Sequence, residues 1–193
     1  MSAIHVGPIR LVTFPDDLTD LDGRLPQPNS LRRASDEAKG AVLAAATLLK
    51  EAGLAVTERT GVYVGQQQIA LDACTRFIET SYKDGPRLAS PLLFSESVAN
   101  NITTHLSLTL GFTGSAQTFI GTRAAGIQAV AAASEDLAFG AVDAALVVVM
   151  GVAGRLTEVA YNAVLRPRVR TPEPMKFLRG GAAMLLRRDA ADR

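Results

Sequence analysis

The sequence predicts an α/β fold in which helices cover both faces of a mostly parallel central sheet. A short apolar segment ends at Gly121, and small residues suited to a closely packed helix then run from Ala124 to Gly140. Residues 141–151 form a nearly continuous apolar run rich in branched side chains, as expected of a parallel strand buried on both faces. Strand, helix and strand in this order predict a βαβ unit.

The elements before this unit follow from the same patterns. A first strand is predicted at about residues 4–14, and a proline-bearing loop leads to a helix at about 31–52. That helix stops at Gly53, a residue well suited to a helix C-terminus. A second strand begins near Val62, and the helix after it is predicted to extend to about Tyr82.

The remaining segments complete one domain. Residues 91–110 are expected to hold a short segment and a helix, with Ser95 or Ser97 as its N-cap. A helix at about 158–165 and a final strand at about 177–186 follow the βαβ unit. A chain of 193 residues, 48% of them hydrophobic, can bury one sizeable core, so we expect a single domain of all 193 residues.

Composition argues against several classes of protein. The chain has 20 basic and 19 acidic residues, which gives no general attraction to nucleic acid or membranes. The first residues lack a secretion signal, and the apolar run around Val147 is too short to span a bilayer. The single cysteine, Cys74, fits a reducing cytoplasm. We therefore expect a cytoplasmic protein. The sequence contains neither histidine and cysteine residues at the spacing of metal ligands nor a phosphate-binding loop, so we expect no metal and no cofactor.

Five segments in order carry a resemblance to a known family. Residues 121–130, Gly-Thr-Arg-Ala-Ala-Gly-Ile-Gln-Ala-Val, resemble the segment Thr-Ala-Cys-Ala-Ser-Gly-x-x-Ala-Ile of the β-ketoacyl synthases. Four other segments also match. An Ala-Gly-Leu helix ending lies at residues 52–54 and a Gly-x-x-x-Gly strand at 61–65. A Pro-x-x-Phe and Val-x-Asn pair lies at 91–100, and a glycine-rich strand at 177–186. The chain is similar to the N-terminal half of these enzymes, and this implies half of a thiolase-like fold.

The resemblance puts Arg123 at the position of the family's nucleophilic cysteine. Condensation in that family needs a thiolate that takes up the acyl group. A guanidinium stays protonated, offers no lone pair and places positive charge at the unfavourable end of a helix dipole. The family's C-terminal half supplies two catalytic histidines, and neither His5 nor His105 matches them. We therefore expect no catalysis by this chain alone.

Two interpretations of Arg123 remain open. It either pairs with a carboxylate or caps carbonyl groups to fix the local architecture, or it reaches across a subunit boundary towards a partner's acyl channel. In the family, the strand before the nucleophile pairs with its copy across a two-fold axis. The candidate interface and pocket residues are Asn100, Gln117, Thr118, Phe119, Ile120, Thr122 and Arg123.

The resemblance also implies a partner. Cysteine-less members of the family, the chain length factors, pair with an active ketosynthase and shape the tunnel for a growing polyketide or aryl-polyene chain. The first hypothesis is therefore an accessory subunit in a heterodimer with a ketosynthase, in polyketide, aryl-polyene or fatty-acid-type elongation. The alternative is a homodimer that binds an acyl thioester without chemistry.

Charge is unevenly distributed along the chain. From Arg155 onward there are 9 basic and 4 acidic residues, against 11 basic and 15 acidic residues before it. Within this part, a proline-restricted loop contains Arg166, Arg168, Arg170 and Lys176. This loop is either a solvated connection or a docking patch for an acidic acyl carrier protein.

Overall fold

Five strands and six α-helices are present in the computed structural model, which describes residues 4–13, 25, 31–121, 124–151, 154–165, 168 and 179–188. The strands are β1 (Ile4–Thr13), β2 (Thr60–Gln66), β3 (Ala116–Ile120), β4 (Ala144–Gly151) and β5 (Gly180–Arg188). The helices are α1 (Asp36–Glu51), α2 (Leu71–Asp84), α3 (Pro91–Ser97), α4 (Asn101–Leu110), α5 (Ala125–Ala138) and α6 (Arg155–Ala160). In the described part of the chain, none of these helices has the length and apolar character needed to cross a membrane.

The strands form one sheet in the order β1-β5-β4-β2-β3. β2 pairs in parallel with both β3 and β4, whereas β5 is antiparallel to β4 and to β1. The predicted α/β class is confirmed, but the expectation of a mostly parallel sheet holds only for β3, β2 and β4. A buried strand is apolar in either direction, so hydrophobicity could not reveal that β5 runs against its neighbours.

Helices cover both faces of the sheet and define two cores. On one face, α1 packs over β1, β5 and β4, and α4 packs over β2 and β3. On the other face, α5 packs mainly over β2 and β4. β2 shows why both faces are apolar: Val62 and Val64 belong to the α1 core, and Tyr63 between them belongs to the α5 core.

Residues 91–110 form two helices instead of the predicted short segment and single helix. The expectation that Ser95 or Ser97 caps the helix is wrong, because their hydroxyls donate at 2.8 Å to carbonyl oxygens within α3. The helix that follows these serines is α4, whose N-cap residue is Asn100, whereas α3 is capped by Ser90, whose side chain accepts from the backbone N–H of Leu93. Pro91 follows directly and suits the first helical position, so the capping residue has to precede it.

A β-bulge in β1 changes which side chains share a face. The register between β1 and β5 shifts between Val6 and Ile9. Because of this shift, Val6 before it and Ile9 and Leu11 after it all lie opposite β5 residues that point to the α5 side of the sheet. Those partners are Leu186, Met184 and Ala182, respectively.

Candidate functional site

The carboxyl ends of β2, β3 and β4 meet where α5 begins. A Cβ added to Gly65 of β2 would lie 2.7 Å from the carbonyl oxygen of Ala125 and 2.7 Å from Cα of Gly126. A Cβ added to Gly126 would lie 2.9 Å from a methyl group of Val149 in β4. These two glycines let the first turn of α5 rest directly on the strands. In open α/β sheets, the carboxyl ends of parallel strands are where ligands bind.

The predicted nucleophile position adjoins this junction in the sequence. Thr122 and Arg123 lie outside the described residues, so their roles stay predictions. β3 ends at Ile120, Gly121 has a φ of 138°, and α5 starts at Ala125. A φ of this size favours glycine. The strand predicted before Arg123 and the helix predicted after it are thus both present.

The side chains of β3 tie this strand to both helical layers. Nε2 of Gln117 donates to Oδ2 of Asp136 on α5 at 3.1 Å. The hydroxyls of Thr118 and Thr103 share a hydrogen bond of 2.6 Å, which joins β3 to α4. Phe119 is half-buried and packs against the α5 core. The strand is therefore held firmly although it lies at the edge of the sheet.

The backbone of β3 has an inner and an outer side. The N–H of Val62 in β2 donates to the carbonyl oxygen of Ser115 at 2.8 Å. Because pairing groups alternate along a parallel strand, the backbone of Gln117 turns towards β2 and that of Thr118 and Ile120 turns outward. Among the described residues, no strand pairs with this outer side.

A buried tyrosine explains why Gln117 is fixed. Tyr63 of β2 is fully buried, and its hydroxyl donates to the same Oδ2 of Asp136 at 2.6 Å. Burial raises the pKa of the Tyr63 hydroxyl, and the hydrogen bond to Asp136 raises it further. Sequence reasoning did not predict the role of Asp136. The available signal was a tyrosine within an apolar strand, since a buried tyrosine hydroxyl usually needs a partner.

Asn100 lies at the same end of the sheet as Ile120. It is exposed at the N-terminus of α4, and its carbonyl oxygen accepts from the backbone N–H of Thr104 at 2.9 Å. Nε2 of Gln66 donates to the carbonyl oxygen of the preceding residue, Ala99, at 2.6 Å. Gln66 is also the register partner of Ile120. Of the predicted interface and pocket residues, the structure thus places Asn100 and Ile120 of β3 near the carboxyl end of β2.

A second polar cluster was not predicted. Glu96 of α3 is 6% exposed, and its carboxylate accepts from Nε2 of His105 at 2.7 Å and from the backbone N–H of Ser35 at 2.9 Å. Burial alone would raise the pKa of Glu96, but the hydrogen bonds from His105, Ser35 and Asn101 outweigh it and hold that pKa below its ordinary value. His105 is thereby accounted for as a structural residue that joins α4 to α3.

The cleft beside Glu96 carries charges of both signs. It has a volume of about 370 Å³ and lies between the start of α1, α2 and α3. One ion pair crosses it, from Arg179 to Glu37 at 3.0 Å. Its lining includes three basic residues, Arg33, Arg76 and Arg179, and four acidic residues, Asp36, Glu37, Asp72 and Glu96. This balance favours neither a simple anion site nor a cation site, and the described residues contain no group of three metal-ligating side chains.

The predicted carrier-docking residues are mostly beyond what the structure describes. Arg168 is exposed, whereas Arg166, Arg170 and Lys176 lie outside the described residues. Their role as a docking patch remains a prediction.

Comparison with known proteins identifies the family. Residues 7–184 match the family model for the β-ketoacyl synthase N-terminal domain. A search of curated proteins finds no match. Among solved structures, the chain is similar to the ishigamide ketosynthase/chain length factor, with 19% identity, a TM-score of 0.75 and 90% of this chain covered. It is also similar to the complex of the ketosynthase ApeO with its chain length factor ApeC from Xenorhabdus doucetiae, with 14% identity, a TM-score of 0.68 and 98% covered.

A third similar structure is AntDE:AntF, a type II polyketide synthase acyl carrier protein in complex with its ketosynthase, with 16% identity, a TM-score of 0.77 and 99% of this chain covered. The chain spans 49% of the ishigamide protein, 80% of the matched chain from Xenorhabdus doucetiae and 64% of the third. Identities this low establish the shared fold alone. The family match over residues 7–184 shows that this chain belongs to the β-ketoacyl synthase N-terminal domain family.

Proposed function

We propose that this chain is a non-catalytic subunit, similar to a chain length factor, that pairs with an active ketosynthase in polyketide, aryl-polyene or fatty-acid-type chain elongation. The observation that carries the proposal is the outward-facing backbone of β3, which lies next in sequence to the turn containing Arg123. The names of the similar structures, which include two ketosynthase–chain length factor pairs, support the same reading.

The chemistry requires a partner. A cysteine thiolate in this family attacks the acyl donor and then holds the acyl chain as a thioester, and Arg123 can neither attack a thioester nor hold the acyl group. The nucleophile and the proton-transfer groups must then come from the ketosynthase. The contribution of this chain is to stabilise that enzyme and to bound its acyl pocket with residues near the end of β3, including Thr122 and Arg123.

The backbone of β3 allows a sharp test of the interface. Co-expression with a full-length ketosynthase should give a stable complex on affinity purification and gel filtration. Thr118→Pro removes an outward N–H without touching the ladder to β2, so it should abolish the complex. Thr118→Val is the matched control, because it removes the hydroxyl bonded to Thr103 but keeps the N–H.

The outcomes of this test are distinct. If Thr118→Val loses the complex as fully as Thr118→Pro does, side-chain packing and not strand pairing forms the contact. If no ketosynthase binds the wild-type chain at micromolar concentration, the proposed function is wrong. Intact-protein mass spectrometry with an acyl donor should further show the acyl group on the ketosynthase and none on this chain.

Carrier docking is a separate part of the proposal. Arg166, Arg168, Arg170 and Lys176 would attract the acidic surface of an acyl carrier protein through exposed charges. Replacing all four by glutamate should weaken carrier binding to the complex by at least roughly tenfold and remove most of its dependence on salt. Surface plasmon resonance at low and high salt measures both effects. Unchanged affinity would identify the segment as a plain connection.

A further inference from the structure

A buried amide lies at the carboxyl end of the central strand. Gln66 is the last residue of β2 and is 2% exposed. Side chains alternate along a strand, so Gln66 points to the same face of the sheet as Val62 and Val64, which is the face that α1 and α4 cover. Burying an amide costs free energy unless it is hydrogen-bonded, and the position of Gln66 therefore depends on its partner.

That partner is the junction between α3 and α4. Nε2 of Gln66 donates to the carbonyl oxygen of Ala99 at 2.6 Å. A second bond, of 2.6 Å between the hydroxyls of Thr103 and Thr118, attaches the first turn of α4 to β3. The start of α4 is thus bonded to two neighbouring strands, and Gln66 supplies the bond to β2.

These two bonds place Asn100 level with the end of β3. Asn100 is three residues before Thr103, which is about 4.5 Å along a helix, and Ile120 is two residues after Thr118, which is about 6.6 Å along a strand. Both steps lead to the same end of the sheet, because Gln66 is the register partner of Ile120. The exposed Asn100 therefore lies near the last residue of the unpaired edge strand.

The side chain of Asn100 has no role in capping α4. Asparagine is among the preferred N-cap residues, yet this side chain makes no capping hydrogen bond. The neighbouring Asn101 satisfies the local backbone instead, since its Nδ2 donates to the carbonyl oxygen of Glu96 at 3.1 Å and its Oδ1 accepts from the N–H of Ile102 at 2.7 Å. The amide of Asn100 is thereby left at the surface, where a partner chain can bond to it.

We propose that Gln66 is a positioning residue for the ketosynthase contact, and that Asn100 extends this contact from the outer edge of β3 onto the start of α4. The inference rests on the proposed function. Gln66 is buried and does not touch the ketosynthase; it holds Ala99 in place, and through Ala99 it holds the amide of Asn100 in line with the outward backbone groups of β3. Groups that are fixed before binding lose less entropy on association, so this bond should tighten the complex.

The proposal also states what the ketosynthase must present. The surface that fits is an unpaired strand edge flanked by one polar side chain that can donate to or accept from an amide.

A double-mutant cycle tests the proposal. Gln66→Met keeps a side chain of similar length but cannot donate to Ala99, and Asn100→Ala removes the exposed amide. Each should raise the dissociation constant for the full-length ketosynthase by roughly tenfold in biolayer interferometry. The double variant should bind no more weakly than the weaker single variant, because Gln66 acts through Asn100. Gly53→Ala, which strains a left-handed turn after α1, controls for general loss of stability and should leave the dissociation constant unchanged.

Hydrogen exchange on the wild-type complex gives a result that no folding defect of a variant can affect. Ketosynthase binding should slow exchange of the backbone N–H groups of residues 101–104 as well as those of Thr118 and Ile120. Slowing confined to β3 overturns the proposal and leaves the proposed function standing. So does an unchanged dissociation constant for Gln66→Met, or losses for Gln66→Met and Asn100→Ala that simply add. A wild-type chain that binds no ketosynthase refutes the proposed function and this inference with it.

Discussion

Glu96 joins three helices through one buried carboxylate, since it lies on α3 and accepts from His105 on α4 and from the backbone just before α1. These bonds require the ionised form. Its pKa in the folded state lies below its ordinary value, so the unfolded state binds a proton more readily. The resulting stabilisation is fully present above the unfolded pKa of about 4.3 and is lost as pH falls through the folded value.

Glu96→Gln should therefore lower the free energy of unfolding at neutral pH by about 1–3 kcal/mol, because a neutral amide leaves buried donors poorly satisfied. The difference from wild type should shrink as pH falls below about 4, where the wild-type carboxylate becomes protonated. Urea unfolding at a series of pH values measures it. Glu79→Gln, at an exposed position on α2, serves as the control and should show no such trend. A difference that stays constant with pH would contradict this account.

Sequence motifs predicted single residues well and pairs of residues poorly. The match around residues 121–130 placed Gly126 at the start of a buried helix, and the structure shows it packed against Val149. Asp136 was missed because its partner Tyr63 is 73 residues away, and Glu96 was missed because its partner Ser35 is 61 residues away. Such contacts depend on how the elements are arranged in space, which the spacing of residues along one element does not contain.

At the scale of elements, α5 and β2 approach each other closely enough to make a side chain at Gly65 unacceptable. Gly65→Ala would bring Cβ within 2.7 Å of backbone atoms of α5, so the helix start must move. We expect a loss of about 1–3 kcal/mol and a fall in Tm of about 2–4 °C per kcal/mol, measured by calorimetry.

Gly53→Ala is the comparison for Gly65→Ala. Gly53 has a φ of 58° and no atom near an added Cβ, so its replacement costs only the left-handed backbone penalty of about 1 kcal/mol. Equal losses for the two variants would argue against a close contact between α5 and β2.

The order of the elements followed from hydrophobic periodicity, whereas their directions and exact ends did not. The predicted helix at about 31–52 begins at Asp36, because Ser35 caps it by accepting from the N–H of Ala38 at 3.3 Å. The predicted strand before Gly121 and the helix after it were confirmed as β3 and α5. The antiparallel direction of β5 depends on its position between β4 and β1, which only the folded sheet defines.

For the molecule as a whole, the unpaired outer edge of β3 implies a larger assembly. If that edge binds a ketosynthase, native mass spectrometry of the purified complex should show this chain paired with the ketosynthase, and Thr118→Pro should leave the two chains separate. A wild-type mixture in which the two chains remain separate at tens of micromolar would contradict the pairing.

The bulge in β1 has a consequence for how far such assembly can proceed. Pro8 lies within the bulge on the outermost strand and supplies no N–H, and the local shift interrupts the regular spacing of the neighbouring groups. An added strand therefore finds a poor template at β1, whereas β3 at the opposite margin has no proline. Two sheets joined through β3 would expose only the interrupted β1 edges, which disfavours further growth by strand addition.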